Sequence, residues 1–268
     1  MNKPIFELTI RDFKTYVAEE RLRRANYVLA FGSGKGGVGK SFIASVVALA
    51  LRDMGFKVGI LDLDLHSSSI PLMLGSINYE IKSSEKGFEP YKLGDNLEIM
   101  SLTYFVGNKP VALRGRNKDE VVLYLLSLTN WSKLDYLIID LPPGMSDEVL
   151  NIAHYIKGNN RGVIAITTPA QVSVDVVKKF IEVLKSLGTR VLGTVLNMSY
   201  IRVDDKVLKP FGEFNLEKLE KMLNTKVLAE FPLEPKADKI LKSRTIPRTE
   251  LGEAIKKFTE RLVKIISH

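Results

Sequence analysis

Short runs of β-branched and aromatic residues alternate along the chain with longer stretches of helical periodicity, from Tyr27 to the end. That alternation predicts βαβ units on a parallel sheet. "YVLAFGS" (27–33) reads as a first buried strand and "SFIASVVALALRDMG" (41–55) as a helix stopped by Gly55. "KVGILDLD" (57–64) is a second strand and "LEIMSL" (97–102) a third, with a helix from about Lys118 to Leu128 leading into "DYLIIDLPPG" (135–144). The strand "GVIAITTP" and the helix "VSVDVVKKFIEVLKSLG" follow, then the strands "RVLGTVLNMS" and "KVLAEFP" and the terminal helix "ELGEAIKKFTERLVKIISH". Residues 1–26 read as an added N-terminal helix, with Phe6, Ile10, Phe13, Tyr16 and Val17 at helical spacing. The stretches Ser76–Asn96 and Arg202–Asn215 read as irregular loops. The expected architecture is α/β: a doubly wound, mostly parallel sheet with helices on both faces, formed by residues 27–268 behind the extension.

The glycines at the end of the first strand give this pattern its chemistry. Gly34, Gly39, Lys40 and Ser41 fit G-x-x-x-x-G-K-[ST] between a predicted strand and a predicted helix, the context a phosphate-binding loop requires. Through Gly34, Gly36, Gly37, Val38 and Gly39 the backbone N–H groups can curl around a phosphate. Lys40 reaches the β/γ oxygens and Ser41 binds Mg²⁺. Hydrolysis needs more: an acid that orients the metal and a group that positions water. Asp140 ends the apolar run "LIID" and suits the first role. Asp62 and Asp64, two apart on a strand, share a face toward the crevice, so one can serve Mg²⁺ and the other the water. Capping the next helix is the alternative for either one. Lys35 stands too early to be the loop's phosphate lysine, and a lysine there can be aimed at a neighbouring subunit.

Composition narrows the options. The 268 residues carry a net charge of +8, no cysteine and 45% hydrophobic residues. Without cysteine the chain builds neither a disulfide nor a thiolate-held iron–sulfur cluster. The start is too charged for a signal peptide, and no apolar run is long enough to span a bilayer, so a cytoplasmic protein is expected. From Lys236 to His268 nine Lys/Arg face four Asp/Glu. In the last helix Leu251, Ala254, Ile255, Phe258, Leu262, Ile265 and Ile266 form an apolar stripe flanked by Lys256, Lys257, Arg261 and Lys264. Such a stripe suits either packing on the protein's own sheet or a membrane surface.

"GKGGVGKS" resembles the deviant Walker A motif of the MinD/ParA class of P-loop ATPases. "LDLDLHSSSIPLMLG", "DYLIIDLPPGMSDE", "ITTPAQVSVDVVK", "LNMSY", "VALRGR" and "EFPLEP" are similar to segments of its Mrp/ApbC branch, the iron–sulfur carrier family. The resemblance implies a slow, partner-regulated, Mg²⁺-dependent ATP hydrolase that dimerises on ATP. Lys35 would reach the partner's nucleotide and Asp64 would position water. Asp62 and Asp140 would support Mg²⁺, and Asn197 would hydrogen-bond adenine beside Pro232 and Leu233. "DLPPG" would sense the γ-phosphate. The family's C-x-x-C pair, which follows "NMSY", is missing: the segment here is "NMSYIRVDDKVLKPFG", whose Asp204 and Asp205 read as a solvated turn. Nor does "HSSS" match the family's "YGPS", and His66 reads as a loop residue. The ATPase therefore carries over, whereas self-ligated cluster carriage does not. The client is unknown; an iron–sulfur or metalloprotein assembly factor is the expectation. Two alternatives stay open, a MinD/ParA-like positioning ATPase on membrane or DNA and a binder that locks a dimer without hydrolysis.

Overall fold

The computed structural model describes residues 10–64, 69–106, 116–235 and 237–267. In chain order the elements are α1 (Ile10–Leu22), β1 (Ala25–Gly32), α2 (Lys40–Asp53), β2 (Val58–Asp62), α3 (Ile70–Met73), β3 (Lys82–Ser84), β4 (Gly87–Glu89), β5 (Tyr91–Lys92), β6 (Leu97–Ser101), α4 (Thr103–Val106) and α5 (Arg116–Leu128). They continue with β7 (Leu134–Asp140), α6 (Asp147–Tyr155), β8 (Arg161–Thr167), α7 (Gln171–Ser186), β9 (Val191–Val203), β10 (Lys206–Leu208), α8 (Leu216–Leu223), β11 (Val227–Pro232), α9 (Ala237–Ser243) and α10 (Glu250–Ile266).

Among the described residues the main sheet runs β10-β9-β8-β1-β7-β2-β6-β5, with β11 also on β9. From β1 to β11 its long strands pair in parallel. β1 and β7 are neighbours, yet the chain leaves β1 toward β2 on one side and leaves β7 toward β8 on the other. This reversal is the topological switch, and a crevice opens beyond the strands' C-terminal ends there. Crossovers that start in opposite directions with the same right hand land on opposite faces. Accordingly α2 packs with α9 and α10, whereas α5 packs with α1 and α6, and α7 lies over β8 and β9. Apolar side chains of β1, β2, β7 and β8 fill the layer between, buried along nearly their whole length.

The expected doubly wound sheet with helices on both faces is present, and several details differ. α1 forms, but Phe13 and Tyr16 are 61% and 62% exposed; Phe6 lies outside the described residues. The helix instead seats Ala18 and Leu22 inward. Lys14 lies over the Tyr124 ring, 4.1 Å from its centroid, and donates to the Tyr124 hydroxyl at 3.0 Å. Arg21 donates to the Ser127 carbonyl at 3.2 Å. Long basic stems thus cover the neighbouring helix while their heads find acceptors, which apolarity counted by residue type misses. The expected loop at 76–96 contains the β3–β4 hairpin and β5. That at 202–215 contains a β9–β10 hairpin, turned at Asp204 with φ 52°. Most of the α10 stripe faces inward: Leu251, Ile255, Phe258, Leu262 and Ile266 are buried against β11 and α2, and Ala254 and Ile265 are partly buried. No described helix is long and apolar enough to cross one.

Candidate functional site

The loop between β1 and α2 takes its shape from its glycines. At Gly39, φ is 83°, and this left-handed residue caps α2 in place of a side-chain cap. Gly34 is needed for close approach. A Cβ there would lie 2.8 Å from the Val176 backbone, because α7 is pressed against the start of the loop. Ser33 ties the loop on both sides: its hydroxyl donates to the Lys35 carbonyl at 2.9 Å, and its carbonyl accepts the Gly144 N–H at 2.9 Å. The proline–glycine turn after β7 is thereby bonded to the loop.

Lys40 and Ser41, the first residues of α2, both turn to β7. The Lys40 ammonium lies 2.5 Å from Asp140 Oδ1, and Ser41 Oγ donates to Asp140 Oδ2 at 2.5 Å. Lys40 is 6% exposed and Asp140 fully buried. Burial pushes the Asp140 carboxyl up from its ordinary range, opposed by the Lys40 charge and by both hydrogen bonds. Register lines up the neighbouring strands: Asp140 of β7 pairs with Asp62 of β2, and Asp62 with Ser101 of β6. Asp62 Oδ2 accepts from Ser101 Oγ at 3.1 Å and Oδ1 from the Asp64 N–H at 3.2 Å. Asp64 is nearly buried and lines a cleft of about 270 Å³ together with Gly36 to Ser41, Ser33, Phe42, Ser69, Met73 and Pro143.

Asn197 completes the enclosure from β9. Its Nδ2 donates to the Val38 carbonyl at 2.9 Å, under Gly39, where any Cβ would meet it at 2.2 Å. The pairing of β9 with β11 is irregular here: Glu230 pairs with Leu196 and Pro232 with Tyr200, so the extra residues lie on β9 just after Leu196, where Met198 takes φ 55°. Pro232 pairs with Tyr200, and the Leu233 N–H donates to the Tyr200 carbonyl at 2.7 Å, which puts both beside this stretch of β9.

A family model described as ParA: NUBPL iron-transfer P-loop NTPase matches residues 24–266. The chain belongs to this family. The iron–sulfur cluster carrier protein of Saccharolobus solfataricus is 37% identical over 219 residues, 80% of this chain and 74% of that one. The cytosolic Fe-S cluster assembly factor CFD1 of Saccharomyces cerevisiae is 34% identical over 236 residues, 85% of this chain and 80% of the other. Among solved structures, a nucleotide-binding protein of Archaeoglobus fulgidus in complex with ADP superposes with a TM-score of 0.73 at 29% identity, covering 85% of this chain and 90% of that one.

The chain gathers Lys40, Ser41, Asp140, Asp62 and Asp64 at one end of the sheet, with Asn197 closing the loop's far side. Lys35 sits on the loop, partly exposed, and has no salt-bridge partner among the described residues. His66 lies outside the described residues. Ser101 belongs to no motif, and Met198 lies within "LNMSY" but its left-handed backbone has no sequence signal; a polar residue ending an otherwise apolar strand is the available signal for Ser101. The donors here are hydroxyl and carboxylate oxygens, which suit Mg²⁺ and not soft metals. Among the described residues no three His, Cys, Asp or Glu side chains converge as a protein-only metal cage. Such a donor set fits an ion that takes its remaining ligands from phosphates and water.

Proposed function

We propose that the chain is a Mg²⁺-dependent ATP-binding and ATP-hydrolysing switch that works as a dimer in iron–sulfur cluster assembly and ligates no cluster of its own. The observation that carries this reading is the convergence of Lys40 and Ser41, which line the cleft with Asp64, on the buried Asp140 beneath them, with Asp62 paired to Asp140 on the next strand. The ADP complex of the Archaeoglobus protein and the carrier and assembly roles named for the relatives support it.

On this reading the backbone from Gly34 to Gly39 receives the phosphates and Lys40 leaves Asp140 for the β/γ oxygens. Ser41, with Asp62 and Asp140 behind it, holds Mg²⁺, which when bound offsets charge on the transferring phosphoryl group. Asp64 orients the water that attacks the γ-phosphorus as the bond to ADP breaks. Lys35 crosses to the partner's nucleotide and supplies the stabilisation an arginine finger gives in other NTPases. Asn197 meets adenine beside Pro232 and Leu233. The client is an iron–sulfur or metalloprotein assembly factor, and with no thiolate in the chain the cluster is held by that client or by a cysteine-bearing relative.

The experiment is ATP turnover in wild type and Asp64→Ala, followed by capture of bound proteins on Asp64→Ala with ATP. Abolished turnover with retained ATP binding is expected. Undiminished turnover in the variant would sink the assignment of Asp64, and a stoichiometric [4Fe–4S] chromophore after reconstitution with iron and sulfide would overturn the cluster-free reading.

A further inference from the structure

β6 ends in an anomaly. Leu97 and Ile99 alternate onto one face of a strand buried throughout, and the next position on that face is a fully buried serine. A hydroxyl there is costly unless it is hydrogen-bonded, and the space would otherwise suit an apolar side chain. Ser101 Oγ accepts the Thr103 N–H at 3.2 Å and donates to Asp62 Oδ2 at 3.1 Å. A serine hydroxyl has one proton, so with Thr103 acting as donor that proton is directed to the carboxylate. The strand pairing sets Ser101 directly across from Asp62. The turn carrying the hydroxyl is itself pinned: Tyr104, the second residue of α4, shares a buried 2.6 Å hydrogen bond with Ser76.

We infer that Ser101 is a positioning residue that fixes the orientation of the Asp62 carboxylate for the metal–nucleotide complex. This rests on the nucleotide reading above. With Oδ2 bonded to Ser101 and Oδ1 to the Asp64 backbone, the carboxylate is gripped at both oxygens and tied to the Asp64 main chain. The competing role is structural: Ser101 only caps α4, in which case its loss lowers stability and leaves metal binding alone.

The test uses the full chain, ATP, and Mn²⁺ as the probe cation, with free Mn²⁺ followed by electron paramagnetic resonance. ATP binding in EDTA is measured in parallel by calorimetry. Ser101→Ala is expected to raise the Mn²⁺ concentration at half-saturation roughly tenfold, as suits loss of one hydrogen bond to a charged group. ATP affinity in EDTA should stay as in wild type. Ser101→Thr and Ser101→Val have the same shape and differ in the hydroxyl, so Thr should restore Mn²⁺ binding and Val should not; this pair decides the matter even if the alanine variant fails to fold. Unchanged Mn²⁺ binding in Ser101→Ala, equal losses in the Thr and Val variants, or a parallel fall of ATP affinity in EDTA would each overturn the inference. A wild type that binds no ATP under either condition would overturn the nucleotide reading itself, and this inference with it.

Discussion

The ammonium of Lys40 and the carboxylate of Asp140 form a buried ion pair at 2.5 Å, so the lysine at the end of the loop is held by an internal anion. Removing one member leaves the other charge without compensation. Lys40→Ala is expected to destabilise the chain by about 3 kcal/mol, while a Lys40→Met, Asp140→Asn double variant loses less than the sum of the two single changes. Urea unfolding of Lys40→Ala, Lys40→Met, Asp140→Asn and the double variant checks this. ATP should raise the melting temperature of wild type and leave that of Lys40→Ala where it is.

Lys35 is expected to separate binding from catalysis. Lys35→Ala should bind ATP as wild type does and stay monomeric with ATP by light scattering. Its turnover should fall on the order of 10³-fold, as for a finger residue supplied in trans. A mixed dimer of Lys35→Ala with a Lys40→Ala chain should recover part of the activity if Lys35 works across the interface.

Gly34 faces the backbone of α7 with no room for a methyl group. Gly34→Ala therefore moves either the loop or the helix and should cost about 1–3 kcal/mol, measurable as a lower denaturation midpoint. A fall in ATP affinity larger than the stability loss explains would show that the loop is what moved.

Where a spacing rule met a backbone requirement, the sequence was readable. Gly39 must be left-handed, Lys40 and Ser41 must open a helix, and Asp62 and Asp140 close apolar runs, so the loop and its acids could be named in advance. Short or polar elements were less legible. α8 has eight residues, about two turns, and α6 has nine and starts two residues after the proline–glycine turn, so neither gives a long periodic signal. The β9–β10 hairpin is hidden because its turn is "DD", with Asp204 in the left-handed region that glycine or asparagine more often marks. Phe13 and Tyr16 look like core by residue type, yet α1 docks through Ala18, Leu22 and the stems of Lys14 and Arg21. Ser101 and Met198 matter through what lies across the sheet from them, which only tertiary pairing reveals.

The base of α10 supplies a pH signature. Glu250 accepts from Arg202 Nε at 2.8 Å and from the Tyr200 hydroxyl at 3.1 Å, tying the helix start to the far end of β9. The Arg202 hydrogen bond is the main cause that holds its carboxyl below the ordinary value of 4.5, against the effect of burial. With the folded value depressed, this contribution is full above 4.5 and is lost as pH falls through the lower folded value. Glu250→Gln should therefore flatten the acid limb of melting temperature against pH, and the difference from wild type should shrink toward low pH. Scanning calorimetry between about pH 3 and 6 reads both. A variant curve parallel to wild type would remove Glu250 from the acid response.

The alignment of Asp140, Asp62 and Ser101 on three adjacent strands has an architectural consequence. Neighbouring strands stand about 4.8 Å apart, so the hydrogen-bond ladder acts as a ruler and sets the spacing of these oxygen donors. A slip of one residue between β2 and β7 would swing every side chain of one strand to the opposite layer and separate Asp62 from Asp140. Correct strand pairing and the placement of these oxygens are therefore one event: a chain folded in register has already set the three side by side, and a misregistered one lacks that row however compact it becomes.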